Sequence, residues 1–192
     1  MSTLFFLTHP EVVIDPKVPV PEWHLSPIGR ARMESFCARK EVSNVRHVYT
    51  SSERKALDGG EIISHRLGVP LDVDSRLGEI DRSSTGYLPK ALHDSLGELA
   101  MENPMHSVRG WERAVDAQRR VANAVRDIRT RHPFEDVVVV SHGGVGLLFL
   151  CSVLGVEISR AYTAPNRNGG CYFCIDSSSG ALRTSWKDIE ET

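Results

Sequence analysis

Two histidines of this chain share one local setting. His9 follows Leu4-Phe5-Phe6-Leu7-Thr8 and His142 follows Val137-Val138-Val139-Val140-Ser141, and both short apolar runs read as buried parallel strands. In an open α/β sheet ligands bind in the crevice at the carboxyl ends of the strands, so both imidazoles stand where a site forms. Gly143-Gly144 follow His142, and then comes the apolar stretch from Val145 to Leu154, so this histidine marks the turn from a strand into a buried helix. The free N–H groups and positive dipole of such a helix start favour an anion. Imidazoles beside it suit phosphoryl chemistry, in which a histidine serves as nucleophile, cations surround the equatorial oxygens and an acid protonates the leaving oxygen.

These residues depend on the elements that carry them. After the first strand, Pro10, Pro16, Pro19, Pro21 and Pro27 exclude helix and central strand and predict an ordered surface loop passing near His9. Ser26-Pro27 open a helix as N-cap and first residue. A second strand is expected over Arg46 to Thr50, and a second helix, capped by Ser51-Ser52, carries Ala56, Gly60, Ile63 and Leu67 and stops at Gly68. A short strand at Leu71 to Val73 precedes an irregular segment from Arg76 to Lys90, longer than an ordinary connection and of the kind that covers sites. A short helix from Pro89, a longer one with Trp111, Val115, Val121, Val125 and Ile128 at helical spacing, and closing strands near Cys171–Ile175 and Leu182–Trp186 complete the pattern. Alternating strands and helices predict one domain over 1–192, a three-layer α/β/α sandwich with a mostly parallel central sheet.

Bulk properties narrow the partners. The 192 residues carry 23 Lys plus Arg against 25 Asp plus Glu, a balance that favours neither nucleic acid nor a membrane as partner. No apolar run approaches a membrane span, and Leu4 to Leu7 is too short for a signal peptide, so the expected compartment is the cytoplasm. Cys171 and Cys174 have no second pair to complete a zinc site, and Cys37 and Cys151 read as small hydrophobes.

The topology gathers His9, the cluster Ser51-Ser52-Glu53-Arg54-Lys55, Glu79 and His142 at strand ends. With these residues the chain resembles the histidine phosphatase superfamily, the phosphoglycerate-mutase-like fold, over nearly its whole length. Thr8-His9-Pro10 stands where that family has its first Arg-His-Gly motif, and Trp23-His24-Leu25-Ser26-Pro27-Ile28-Gly29 is similar to the helix start that follows. Tyr49 to Leu57 resembles the segment whose arginine contacts phosphate, with Lys55 in that register and Arg54 beside it. Arg76-Leu77-Gly78-Glu79-Ile80 resembles the segment of the proton-donating glutamate, and Val138 to Gly144 is a close match to the second-histidine motif. The resemblance implies a cofactor-independent and metal-free phosphatase acting on a small phosphorylated substrate. In it His9 is the nucleophile, Glu79 the acid, and His142, Lys55, Arg54, Thr8 and Gly143 the groups around the phosphoryl oxygens.

The departures from the family pattern point to alternatives. Thr8 replaces an arginine whose bidentate fork a hydroxyl does not reproduce, Pro10 replaces a glycine, and Lys55 is a point charge. A non-catalytic binder of phosphorylated ligands on the same fold, or a phosphomutase, therefore stands beside the phosphatase. Arg82, Ser83 and Ser84 are candidates for the pocket mouth, and Arg109 and Arg113 for a solvated face. Asn168 reads as a turn residue, and His24, His47, His65, His93, His106 and His132 as structural or exposed.

Overall fold

The computed structural model describes residues 2–166 and 168–191. In chain order the elements are β1 (Thr3–Thr8), α1 (Pro27–Cys37), β2 (Val45–Thr50), α2 (Arg54–Leu67), β3 (Leu71–Val73), α3 (Lys90–Glu102), α4 (Ala114–Arg131), β4 (Asp136–Ser141), α5 (Gly143–Leu154), β5 (Cys171–Asp176) and β6 (Leu182–Asp188). The strands form one six-stranded sheet ordered β3-β2-β4-β1-β5-β6. The four strands from β3 to β1 run parallel, while β5 is antiparallel to β1 and β6 to β5.

Both faces of the sheet are covered, so its central strands are apolar at every position instead of alternating with polar residues. Phe5, Leu7, Val138 and Val140 face Met33 and Phe36 of α1 and Ala56 and Ile63 of α2. Leu4, Phe6, Val137 and Val139 face Val121 and Val125 of α4 and Leu148 of α5. The three-layer sandwich with a mostly parallel sheet is what the alternation of elements predicts.

The strand register makes the site. β1 and β4 are neighbours with Thr8 opposite Ser141, and the His9 N–H continues the ladder to the Ser141 carbonyl at 3.0 Å. His9 and His142, each one step beyond its strand, therefore stand side by side. The proline-rich segment lies on α1, where a Cβ at Gly29 would meet the Glu11 carbonyl oxygen at 2.2 Å. Gly169, at φ +70°, is closer still to the site, because a Cβ there would meet the His9 carbonyl oxygen at 2.1 Å.

Element boundaries differ from expectation where side chains are diverted. Glu53 takes the N-cap position of α2 in place of Ser51-Ser52, because the Ser51 hydroxyl is bound to His142. The helix expected from Trp111 starts three residues later, after Arg109 and Gly110 at φ 56° and 81° reverse the chain and Trp111 is buried as an anchor. The helix after Pro89 is longer than expected, running 13 residues. Ser26 and Pro27 open α1 as predicted, with the Ser26 hydroxyl accepting from the Gly29 N–H at 3.0 Å. Among the described residues no helix is long and apolar enough to cross a membrane.

Candidate active site

His9 is set up as a free base. Its Nδ1 lies 2.8 Å from the Pro10 carbonyl oxygen, which can only accept, so Nδ1 carries the proton and Nε2 keeps its lone pair. Burial, then His142 and then Lys55 push the imidazole down to about 3, so it is neutral at ordinary pH. Proline at position 10 fixes the φ of the residue whose carbonyl orients this ring.

The second imidazole is its neighbour. His142 is wholly buried and stands edge-on to His9, with ring centroids 5.1 Å apart. Its Nε2 is 2.7 Å from the Ser51 hydroxyl and 3.4 Å from Glu53 Oε1. Burial lowers its pKa despite the opposing charges of Glu53 and Glu79. Its Nδ1 is buried and has no hydrogen-bond partner among the described residues.

The cation and the carboxylates form one network. Lys55 is 4% exposed and donates to Glu53 Oε2 at 2.5 Å and to the Val20 carbonyl at 3.0 Å, so the proline-rich loop closes over the lysine. Glu53 Oε1 also accepts the Glu79 N–H at 2.8 Å. Burial alone would raise the Glu53 pKa, but His142, Lys55 and that N–H outweigh it and hold the carboxyl at about 2. Glu79 occupies the start of α5, accepting from the N–H groups of Gly144 at 2.9 Å, Val145 at 3.0 Å and Ile80 at 2.9 Å. Its burial is likewise outweighed, here by Arg82, His142 and the backbone donors, and its pKa is lowered. The helix start expected to receive a phosphate is thus largely taken by a side chain of the protein. Only Gly143, at its exposed first position, lies outside the grip of Glu79.

The structure brings His9, Glu79, His142 and Lys55 together and places Gly143 at the same helix start, but it directs two predicted residues elsewhere. Thr8 is buried between β1 and β5, where its hydroxyl donates to the Cys171 carbonyl at 3.2 Å and accepts the Cys171 N–H at 3.0 Å. Arg54 turns along α2 to Asp58 at 2.9 Å and Glu61 at 2.7 Å. Arg113 pairs with Asp116 on the surface, whereas Arg82 reaches inward and contacts His93, a residue assigned no role from sequence. Trp111 lies beneath the Arg82 guanidinium, 5.6 Å from its ring centroid.

Three further residues of this neighbourhood escape sequence reading. Glu53 and Ser51 stand inside a cluster read for its cations, and their signal was the presence of a carboxylate and a hydroxyl at a strand-to-helix turn facing a histidine. Arg120 of α4 carries no sequence signal beyond an ordinary helix face. It pins the Glu79 segment by donating to the carbonyls of Arg76, Gly78 and Glu79 at 2.7, 2.9 and 3.1 Å. A groove of about 410 Å³ between Met105, Val115, Gln118, Arg119 and Ser152 includes none of these groups.

The neutral His9 imidazole makes stability depend on pH. Between the ordinary value of 6.5 and about 3, the unfolded chain holds a proton on His9 that the folded chain does not, so stability falls as pH falls through that window. Urea unfolding should show the protein less stable at about pH 5 than at about pH 7, by roughly 1–2 kcal/mol from His9. His9→Gln should remove that share, and an unchanged difference would contradict the depressed imidazole.

The chain matches the histidine phosphatase superfamily (branch 1) over residues 18–185, a span that starts beyond His9. It is 24% identical over 152 residues to "Putative phosphoserine phosphatase 2" of Hydrogenobacter thermophilus, covering 76% of this chain and 74% of that protein. Among solved structures, Bacillus stearothermophilus YhfR superposes with a TM-score of 0.82 at 22% identity, with 100% of both chains covered. A mycobacterial glucosyl-3-phosphoglycerate phosphatase superposes with a TM-score of 0.77 at 19% identity, over 97% of this chain and 96% of the other. With a match across most of its length and the second-histidine motif in place beside His9, the chain belongs to the histidine phosphatase superfamily.

Proposed function

We propose that the protein hydrolyses a small phosphomonoester in two steps. His9 Nε2 attacks phosphorus and the ester oxygen leaves with the alcohol, giving a phosphohistidine; water then attacks that phosphorus, releasing inorganic phosphate and the free imidazole. The observation that carries this reading is the Pro10 carbonyl holding the His9 proton on Nδ1, so that a neutral Nε2 remains for attack. Lys55, the unpartnered Nδ1 of His142 and the Gly143 N–H are the groups offered to the phosphoryl oxygens. Thr8 and Arg54, occupied by Cys171 and by Asp58 and Glu61, are left out of this clamp. A relative named for phosphoserine supports a small phosphorylated metabolite as substrate. Four free thiols fit the reducing cytoplasm expected from sequence.

Glu79 is the proton donor in this reading. Its resting carboxylate is ionised, and an arriving phosphoryl group adds negative charge that pushes its pKa upward and favours proton uptake. Glu79→Gln should lose about 10²–10⁴ in kcat on an alkyl phosphate and much less on an aryl phosphate, whose leaving oxygen needs little protonation. Equal losses on the two substrates would leave Glu79 only as the cap of α5.

A second reading, a phospho-ligand binder without turnover, is favoured by one specific feature. The charge of Lys55 is already met by Glu53 and the Val20 carbonyl, and no guanidinium stands at position 8. Binding of phosphorylated ligands without hydrolysis over a broad panel of phosphomonoesters, and without label on His9, would establish it.

A further inference from the structure

Glu53 stands where an anion is expected. Its carboxylate touches Lys55 Nζ and lies 3.4 Å from His142 Nε2, two groups of the very cluster assigned to the phosphoryl oxygens. It also accepts the Glu79 N–H, so the side chain is held from two sides, by Lys55 and by the Glu79 backbone. The charged and titratable groups facing it are Lys55 from α2, His9 after β1, His142 before α5, Glu79 and, from α4, Arg120. Of the two cations, Arg120 is already spent on Glu112 and three carbonyls, and Lys55 on Glu53. Counted by charge, Glu53 and Lys55 cancel, His9 is neutral, and Glu79 faces the opposite charge of Arg82.

A phosphate dianion entering this cluster finds no uncompensated cation, and it meets a carboxylate with nothing to offer it but a lone pair. A phosphate that keeps one proton is different. Its P–O–H can donate to a Glu53 oxygen, each of which has a second lone pair, while its remaining oxygens accept from Lys55 and His142. We infer that Glu53 is a specificity-determining residue that selects the singly protonated phosphate over the dianion. This deepens the phosphatase reading and rests on it for the identity of the phosphate site, but it concerns binding alone.

Inorganic phosphate and sulfate are the probes, measured by titration calorimetry on the whole chain. Phosphate loses its second proton near neutrality, whereas sulfate keeps two charges and no proton throughout. His9, depressed to about 3, does not titrate in this window, and sulfate reports any other change in the protein. Phosphate should bind roughly tenfold more tightly at about pH 5.5 than at about pH 8.5, while sulfate stays weak at both. In Glu53→Gln the amide can donate to a dianion. Phosphate at the higher pH and sulfate at either pH should then gain roughly tenfold, and the phosphate pH dependence should flatten.

Wild type binding phosphate more tightly at the higher pH overturns the inference, as does a Glu53→Gln profile that parallels wild type or the absence of binding in both proteins. If the variant does not fold, the wild-type comparison of phosphate with sulfate decides alone. Turnover with label on His9 but no proton preference would sink only the role of Glu53; the proton preference without turnover or label would sink only the phosphatase reading.

Discussion

His9→Ala is expected to lower turnover of any phosphomonoester substrate by on the order of 10⁵–10⁶, the scale seen when a covalent nucleophile is removed. The reason lies in what remains. His142, Lys55 and Glu79 are held by partners other than His9: Ser51, Glu53 with the Val20 carbonyl, and the N–H groups of α5. Alanine therefore deletes the attacking nitrogen and leaves its surroundings standing. Rapid acid-free quenching of wild type with a labelled substrate should trap phosphate that is stable to base and labile to acid, and His9→Ala should trap none. The variant keeping both hydrolysis and label would place the nucleophile elsewhere. A pH profile adds an independent check, since the wild-type rate should show no acid limb near 6.5 from His9, whose imidazole is depressed to about 3.

How much of this arrangement the sequence discloses depends on whether a feature is local. The strands ending at Thr8 and Ser141 are legible because both are unbroken apolar runs followed by polar or glycine residues, and a parallel sheet then places His9 and His142 at one edge. Glu79 is legible by its place in an irregular segment covering that edge. Side-chain direction is not local. Arg54 and Lys55 are adjacent on α2 and therefore point about 100° apart, so only one of them can face the imidazoles; the other finds Asp58 one turn on. Thr8 appears in the sequence as a weakened phosphate ligand, but the turn at Gly169-Gly170 brings Cys171 against its hydroxyl and removes it from the cleft. The helix start at Gly143 looks like an open anion site because the carboxylate that fills it, Glu79, lies 65 and 66 positions away in the chain from the Gly144 and Val145 N–H groups it binds. Glu53 stays hidden for a related reason. A carboxylate two residues before a lysine has no sequence signature of pairing, and here it exists because Ser51, by turning to His142, yields the cap position to Glu53.

Lys55→Met is the sharpest test of that network, because two effects of one substitution can be separated. Methionine retains most of the apolar stem but removes the ammonium, and the loss of one preorganised phosphate donor should lower kcat/KM by about 10²–10³. The same change leaves Glu53, whose side chain is 14% exposed, without its cation, and breaking a largely buried pair is strongly destabilising. Lys55→Met should therefore unfold at lower urea than wild type, by roughly 2–4 kcal/mol. In Lys55→Met/Glu53→Gln no charge is left unpaired, so most of that stability should return. Turnover should not, because the double variant still lacks a cation beside His9 and His142. Recovery of both stability and turnover would mean that Lys55 serves only to neutralise Glu53, and that the imidazoles and the start of α5 suffice for the phosphoryl group. Recovery of neither would mean that the loop carbonyl of Val20 depends on Lys55, since that donor is what holds the proline-rich segment onto α2 at this point.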